Sequence, residues 1–105
     1  MSTEIVFLGS SLEDLREFPD AAKQAAGHQL DRVQNGLEPN DWKPMKTVGK
    51  GVIEIRIKER SGAFRVFYVA NKGERIYVLH AFQKTTEKTE KRDIDLARER
   101  LKEIS

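Results

Sequence analysis

The sequence predicts one α+β domain, in which a strand and a two-helix hairpin precede a three-stranded antiparallel meander and a C-terminal helix. Three observations indicate this order. The length of 105 residues suits a single domain. Apolar residues recur at helical spacing before position 38 and after position 88. Strand-like runs separated by turns lie between those two regions. We therefore expect residues 1–105 to form one domain.

The N-terminal third predicts a short strand followed by the hairpin. β-branched and aromatic residues over 3–8 favour a strand, which a Gly-Ser pair closes. A first helix is expected with Ser11 as its N-cap, and it ends before Pro19. A second helix begins at Asp20, and the Asn-Gly pair at 35–36 ends it. Its apolar stripe consists of Ala22, Ala26, Leu30, Val33 and Leu37.

The middle of the chain predicts a loop and then the meander. Residues 37–50 are expected to form a loop, because Pro, Asn and Gly recur there. Apolar and charged residues alternate from 52 to 58, which predicts a strand with one face in the core and one in solvent. The core face would carry Ile53, Ile55 and Ile57, and the solvent face Glu54, Arg56 and Lys58. Two further strands are predicted at 63–70 and 75–82, after turns at 61–62 and 71–74.

The last segment predicts an amphipathic helix that begins after Thr89 as N-cap. Its apolar stripe consists of Ile94, Ala97, Leu101 and Ile104. Most of the remaining positions are charged, so we expect one face of this helix to lie in solvent.

Composition excludes several classes of function. No apolar run approaches the roughly 20 residues of a membrane span, so no membrane partner is expected. The absence of cysteine excludes disulfides and thiolate sites, which suits a cytoplasmic protein. His28 and His80 lie on different predicted elements, so we expect no metal site. The glycines at 49 and 51 are too few for a nucleotide-binding loop, and no cofactor is expected.

Charge is distributed unevenly along the chain. Residues 1–42 hold 3 Lys or Arg and 8 Asp or Glu, a charge of −5, whereas residues 43–84 hold 10 and 3, a charge of +7. A basic segment of this kind suggests a polyanionic partner, because lysines and arginines release condensed counterions when they neutralise phosphates. The alternative is that these charges are only the solvated face of a sheet.

Five basic residues on and just beyond the meander are the candidates for binding a polyanion: Arg56, Lys58, Arg65, Lys84 and Lys88. Arg65 is the most informative, because it interrupts an apolar strand where an arginine needs a carboxylate, an open cleft or an anionic ligand. An ion pair with Glu54 on the neighbouring strand would explain it structurally, and that ion pair could also hold the guanidinium ready for a phosphate. His80 lies in an apolar strand, which favours a hydrogen-bonded core histidine.

Four short motifs carry a family resemblance: VIEIRI at 52–57, FRVFYV at 64–69, LHAFQKT at 79–85 and LARER at 96–100. In this order, and following a helical hairpin, they resemble the phage-derived HigB-like branch of the RelE/ParE toxin superfamily. The resemblance covers nearly the whole chain. It implies a RelE-like fold and a type II toxin paired with a cognate antitoxin, of the helix-turn-helix type. It also implies cleavage of messenger RNA on the ribosome and therefore translation inhibition.

The resemblance also assigns residues. Arg65 matches the family's arginine in the aromatic-Arg-aliphatic motif, Arg56 a basic position on the preceding strand, and Lys84 the first lysine after the last strand. Many relatives carry a second basic residue where this chain has Thr85, and the RelE branch tends to carry a lysine where this chain has Glu54.

The implied enzyme is a metal-independent endoribonuclease. The ribose 2′-hydroxyl attacks the adjacent phosphate, so the site must hold the phosphate, stabilise its added charge and move two protons. Arg56, Arg65 and Lys84 would serve the first two needs, with Lys58 and Lys88 as further RNA contacts. Glu54, His80 or a lysine of depressed pKa could move the protons, and the sequence leaves this choice open.

Two alternatives remain open at the level of sequence. A ParE-like member of the same fold would inhibit DNA gyrase by protein contact, and a degenerate member would only bind its antitoxin. The acidic hairpin, opposite in charge to the sheet, is expected to contact the antitoxin together with the rim of the sheet, so that the complex blocks ribosome entry sterically.

Overall fold

A computed structural model describes residues 3–71 and 74–104. Within them the chain forms β1 (Glu4–Phe7), α1 (Ser11–Arg16), α2 (Asp20–Gln34), β2 (Trp42–Pro44), β3 (Val52–Glu59), β4 (Gly62–Asn71), β5 (Arg75–Lys84) and α3 (Lys91–Lys102). The predicted α+β order of strand, hairpin, meander and helix is confirmed. None of the helices in the described ranges has the length and apolar character needed to cross a membrane.

All the strands join one sheet in the order β1-β5-β4-β3-β2. Strands β3, β4 and β5 form the predicted antiparallel meander, and β1 pairs parallel to β5. The prediction of a loop throughout 37–50 is wrong, because β2 pairs antiparallel with β3, with Lys43 opposite Glu54. A three-residue edge strand that ends in proline shows too little alternation to be recognised from sequence, and its pairing depends on β3.

The sheet carries a core on each face. On one face the hairpin contributes Leu15, Phe18, Ala22, Ala26, Leu30 and Val33. On the other face a second core contains Met45 and Val48 after β2, Phe67 of β4, and Ala97 of α3. The expectation that this second face is in solvent is therefore wrong. Glu54 is fully buried there, although Lys58 at the end of β3 is exposed.

A β-bulge in β5 determines how α3 sits on the sheet. Phe67 pairs with His80 and Tyr68 with Val78, so Leu79 is left without a partner on β4. Such an extra residue re-aims the side chains beside it. Arg100 of α3 donates a 2.9 Å hydrogen bond to the carbonyl oxygen of Leu79 and a 3.0 Å bond to the Ser10 hydroxyl. Its buried guanidinium thus joins α3 to the bulge and to the start of α1.

Several predicted boundaries shift by a residue or more. Ser10, not Ser11, is the N-cap of α1, and the Ser11 hydroxyl instead donates to the carbonyl oxygen of Val78 at 3.2 Å. Leu37 does not belong to the buried stripe, because α2 ends at Gln34 and leaves it 53% exposed. Glu90, not Thr89, is the N-cap of α3. Lys84 is the last residue of β5 and does not lie beyond it, since Ala63 pairs with it.

Two further expectations concern the turns and the C-terminal stripe. The predicted turn over 71–74 includes residues 72 and 73, which lie outside the described residues. Ile104 packs against the second core although α3 ends two residues earlier, so the predicted apolar stripe continues past the end of the helix.

Replacing Arg100 should destabilise the protein. Arg100→Ala leaves the buried carbonyl oxygen of Leu79 without this donor, and an unsatisfied buried acceptor costs about 1–3 kcal/mol. Urea unfolding should therefore show a clearly lower midpoint. The matched control is Lys102→Ala on the same helix, whose exposed pair with Glu99 should contribute roughly 0–1 kcal/mol. Equal midpoints for the two variants would contradict the role given to Arg100.

Candidate functional site

Strand register brings four cations around one carboxylate on the face that carries α3. Arg56 lies directly opposite Arg65, and Lys43 directly opposite Glu54. Lys84 pairs with Ala63, two residues before Arg65, so it shares that face. We call Lys43, Arg56, Arg65 and Lys84, together with Glu54 at their centre, the cationic cluster. Three neighbouring strands and the edge strand β2 thus build it from residues far apart in sequence.

The centre of the cationic cluster is a carboxylate without hydrogen bonds. Glu54 is fully buried, and its Oε2 lies 3.7 Å from Nε of Arg65 while its Oε1 lies 3.9 Å from Nζ of Lys43. Both distances are short enough for ion pairs but too long for hydrogen bonds. In the described part of the chain neither carboxylate oxygen has a hydrogen-bond partner. The predicted ion pair between Glu54 and Arg65 is confirmed, and Lys43 is a second cation that the sequence did not indicate.

Arg65 is also only partly satisfied. Its Nη1 donates a 2.9 Å hydrogen bond to the carbonyl oxygen of Phe64, but its buried Nε has no hydrogen-bond partner among the described residues. The buried Nε of Arg56 lacks one in the same way. Burial lowers the pKa of Arg65, and the nearby Glu54 carboxylate opposes that effect. Buried donors without acceptors are costly, so these two guanidinium groups are prepared to receive an anion.

Lys84 is the half-buried lysine of the cationic cluster. Desolvation lowers its pKa, the charge of Arg65 lowers it further, and Glu54 acts in the opposite direction. Lys43 and Arg56 add smaller depressions. A lysine of depressed pKa beside fixed cations exchanges its proton more readily than a free lysine, which suits acid-base chemistry.

His80 belongs to a different arrangement. Its Nε2 lies 2.7 Å from Oδ1 of Asp93 on α3, and its ring stacks on Phe82 at a centroid distance of 4.8 Å. The residue is buried, as expected of a hydrogen-bonded core histidine, and desolvation lowers its pKa although Asp93 opposes this. Within the described chain, the hydrogen bond and ring contacts of His80 are with Asp93, Phe67 and Phe82, none of which belongs to the cationic cluster.

The two remaining candidates lie at the periphery. Lys58 is exposed near the end of β3, opposite Ala63. Lys88 lies in the connection between β5 and α3, where it lines an open groove together with Lys43 and Lys84. The ion pairs of Glu54 within the described chain are with Lys43 and Arg65, and not with Lys58 or Lys88.

Sequence reasoning missed three residues of this region. Lys43 lies in a segment that the sequence predicts to be a loop, and no sequence pattern links Asp93 to His80. Asp41 is exposed, and the charge of its carboxylate opposes the lowering of the Arg65 pKa by burial. Its backbone carbonyl oxygen accepts a 2.9 Å hydrogen bond from the backbone amide of Arg56. Only strand pairing identifies Lys43 and Asp41 as neighbours of the cationic cluster. Across residues 3–71 and 74–104 there is no group of three side chains suited to hold a metal ion.

The pKa of Lys84 should respond with opposite signs to two substitutions. Arg65→Met removes a positive charge, so the pKa of Lys84 should rise, whereas Glu54→Gln removes a negative charge and should lower it. NMR titration of the Lys84 Nζ signal measures both shifts. Lys58→Met, which removes an exposed charge not among those acting on Lys84, is the control and should leave it nearly unchanged. Shifts of the same sign in the first two variants would disprove this account of the electrostatics.

The burial of His80, which the contact with Asp93 only partly offsets, should make stability depend on pH. The pKa of His80 in the folded state lies below its unfolded value of 6.5, so the unfolded chain binds the proton first on acidification. The contribution of His80 is thus fully present above about pH 6.5 and is lost as the pH falls below it. His80→Phe should flatten the dependence of melting temperature on pH between 7 and 5, with His28→Phe as the matched control.

Comparisons with known proteins agree with this architecture. The family model described as Phage derived protein Gp49-like (DUF891) matches residues 13–102. A comparison with curated proteins finds no match. Among solved structures, a double arginine-to-alanine mutant of the E. coli toxin RelE in the free state is 16% identical, with a TM-score of 0.63 and 100% of both chains covered.

A second solved structure is the toxin-antitoxin complex RelBE2 from Mycobacterium tuberculosis. It gives a TM-score of 0.53 at 16% identity, and the match covers 80% of this chain and 100% of that chain. These likenesses show the RelE-like fold that the sequence motifs predicted. Because the family model spans most of the sequence, the chain belongs to the Gp49-like family of phage-derived proteins.

Proposed function

We propose that this protein is the toxin of a type II toxin-antitoxin system, of the HigB-like branch, and that it cleaves messenger RNA on the ribosome without a metal ion. The observation that carries the proposal is the pair of adjacent guanidinium groups of Arg65 and Arg56, each with a buried Nε that lacks a hydrogen-bond partner among the described residues. Family membership and the fold support the assignment.

The first requirement of such an enzyme is to hold the phosphate that is cut. A guanidinium group binds two phosphate oxygens in a fixed geometry, which a lysine cannot do. Arg65 and Arg56 are directly paired on the neighbouring strands β4 and β3, so one phosphate would interact with both guanidinium groups. Glu54 does not touch the RNA in this scheme. It is a positioning residue that keeps Arg65 in place through their ion pair.

The second requirement is to move two protons. The 2′-oxygen forms a bond to phosphorus while the bond from phosphorus to the 5′-oxygen breaks, which leaves a 2′,3′-cyclic phosphate and a 5′-hydroxyl. Protonated Lys84, with its depressed pKa, gives its proton to the departing 5′-oxygen. The proton of the 2′-hydroxyl goes to Asp41, an exposed carboxylate beside the arginines.

The other two candidates for proton transfer are less suitable. Glu54 is fully buried between two cations and has no exposed oxygen to offer the ribose. His80 is engaged with Asp93 beneath α3. A site with one lysine and one carboxylate has little acid-base power of its own, so the ribosome is expected to align the 2′-hydroxyl with the phosphate.

The antitoxin is proposed to use a different face. The hairpin of α1 and α2 packs on the side of the sheet opposite the cationic cluster, and it is rich in acidic residues. A partner that docks on the hairpin and the rim of the sheet could therefore block entry into the ribosome without competing for the phosphate-binding arginines. The toxin-antitoxin complex among the structural relatives is compatible with such a partner.

Loss of Arg65 should abolish cleavage in a protein that still folds, because Lys43 remains as a cation beside the buried Glu54 carboxylate. Removal of one oxyanion-binding donor lowers rates by roughly 100- to 1,000-fold in other enzymes, so Arg65→Ala should produce no detectable cleavage of ribosome-bound transcripts by toeprinting. Arg60→Ala, which removes an exposed arginine outside the cationic cluster, is the control and should cleave normally. Asp41→Asn should slow cleavage without weakening RNA binding.

Other outcomes of the same experiment would assign a different role. A melting temperature that falls sharply with activity in Arg65→Ala would indicate a mainly structural ion pair, because breaking a buried pair costs roughly 3–5 kcal/mol. If the native protein leaves ribosome-bound transcripts intact and inhibits gyrase supercoiling, the ParE-like alternative replaces this proposal. Neutralisation by an antitoxin with no effect on either target would indicate the degenerate alternative.

A further inference from the structure

An open groove of about 510 Å³ extends from the cationic cluster. One wall is formed by β2 and the turn that follows it, and the other by the connection between β5 and α3. Met45 and Ile94, which belong to the second core, contribute apolar surface to it. This volume lies within the range of small-molecule sites, roughly 300–1,000 Å³. Neither the fold nor the phosphate-binding scheme above requires such a groove.

The rim of the groove is strongly basic. Of the described residues that line it, one is acidic, Glu87, and four are lysines: Lys43, Lys46, Lys84 and Lys88. In the described parts of the chain, the side chains of Lys46 and Lys88 form no ion pair and no hydrogen bond. Lys43 and Lys84 belong to the groove and to the cationic cluster at once. The two features therefore form one continuous surface.

We infer that this groove binds the nucleotide next to the phosphate that is cut. This inference rests on the proposed function and extends it, because it adds to the phosphate site a subsite for the nucleotide on one side of the cleaved bond. The lysines would neutralise the phosphate of that nucleotide, and the base would lie against Met45 and Ile94. An occupant with one negative charge and one flat apolar group fits this combination better than an acidic peptide, which would leave the apolar surface uncovered.

The test measures binding of a short RNA that cannot be cleaved. The probe is a single-stranded trinucleotide with a 2′-deoxyribose at the attacking position, titrated into the native protein and followed by NMR. The test variant is Lys46→Ala with Lys88→Ala, which leaves every member of the cationic cluster unchanged. The matched control is Lys23→Ala with Lys102→Ala, which removes the same charge from exposed positions on α2 and α3 outside the groove.

The two variants should differ in affinity and in salt dependence. Each single-stranded phosphate that is neutralised adds about 0.7 to the salt slope, which corresponds to about a fivefold change in affinity near 0.1 M salt. Because the groove receives one phosphate, the test variant should bind the trinucleotide about fivefold more weakly than the native protein, with a shallower salt slope. The control should bind within about twofold of the native protein. Equal losses in the two variants would overturn the inference.

A second measurement changes the RNA and leaves the protein native. Two probes are used, each a trinucleotide in which the base at one end, 5′ or 3′, is removed to leave an abasic sugar. Both probes keep their phosphates, but the one that lacks the base bound in the groove cannot cover the apolar surface. One of the two abasic probes should bind several-fold more weakly and should lose the NMR shifts at Met45 and Ile94. If both abasic probes bind like the intact trinucleotide, the groove recognises only the charge of the phosphates, and the inference of a nucleotide subsite is wrong.

The remaining outcomes separate this inference from the proposed function. Normal cleavage on ribosomes with unchanged trinucleotide binding in the test variant would refute the subsite alone. Trinucleotide binding that depends on Lys46 and Lys88, together with no cleavage, would refute the nuclease assignment but keep the subsite. A polyglutamate peptide that displaces the trinucleotide and binds more tightly would show that the groove receives an acidic protein, and would overturn the inference.

Discussion

A carboxylate buried in the middle of a sheet must lie close to cations, because an isolated buried charge costs several kcal/mol. Glu54 meets this need through Arg65 on β4 and Lys43 on β2, and these two contacts determine much of the surrounding structure. They give the short edge strand β2 an electrostatic attachment beyond its backbone pairing with β3. They also place the guanidinium of Arg65 beside that of Arg56, which would otherwise be repelled. The same ion pairs that support the sheet thus assemble the concentration of positive charge.

One part of the second face of the sheet packs against α3, and another part carries the cationic cluster. The bulge at Leu79, the bond from Arg100 to its carbonyl oxygen and the contact between His80 and Asp93 hold α3 on one part of that face. The cationic cluster occupies the part toward β2 and the end of β5. Because α3 is fixed by several independent contacts, it buries the apolar residues without covering the lysines of the groove.

Sequence reasoning recovered what depends on local pattern and missed what depends on pairing between distant strands. Apolar periodicity was enough for the hairpin, the meander and α3, and the isolated arginine in an apolar strand correctly indicated the ion pair with Glu54. Alternation alone placed Glu54 in solvent, because it cannot reveal that a second core covers the opposite face. Lys43 and Asp93 acquire their roles only from neighbours that are 11 and 13 residues away, and no local motif encodes such distances.

The unsatisfied donors of Arg56 and Arg65 suggest why the active arrangement is costly in the free protein. Each buried polar group without a hydrogen-bond partner lowers the free energy of unfolding by about 1–3 kcal/mol, so the two arginines reduce the stability of the free protein. A phosphate would recover part of this energy on binding, and the recovery would be largest for the doubly charged arrangement of the transition state, to which fixed donors are already directed. The energetic defect and the proposed catalytic advantage therefore have the same physical origin: two adjacent guanidinium groups whose buried Nε atoms have no hydrogen-bond acceptor among the described residues, beside a carboxylate that forms an ion pair with Arg65 but no hydrogen bond.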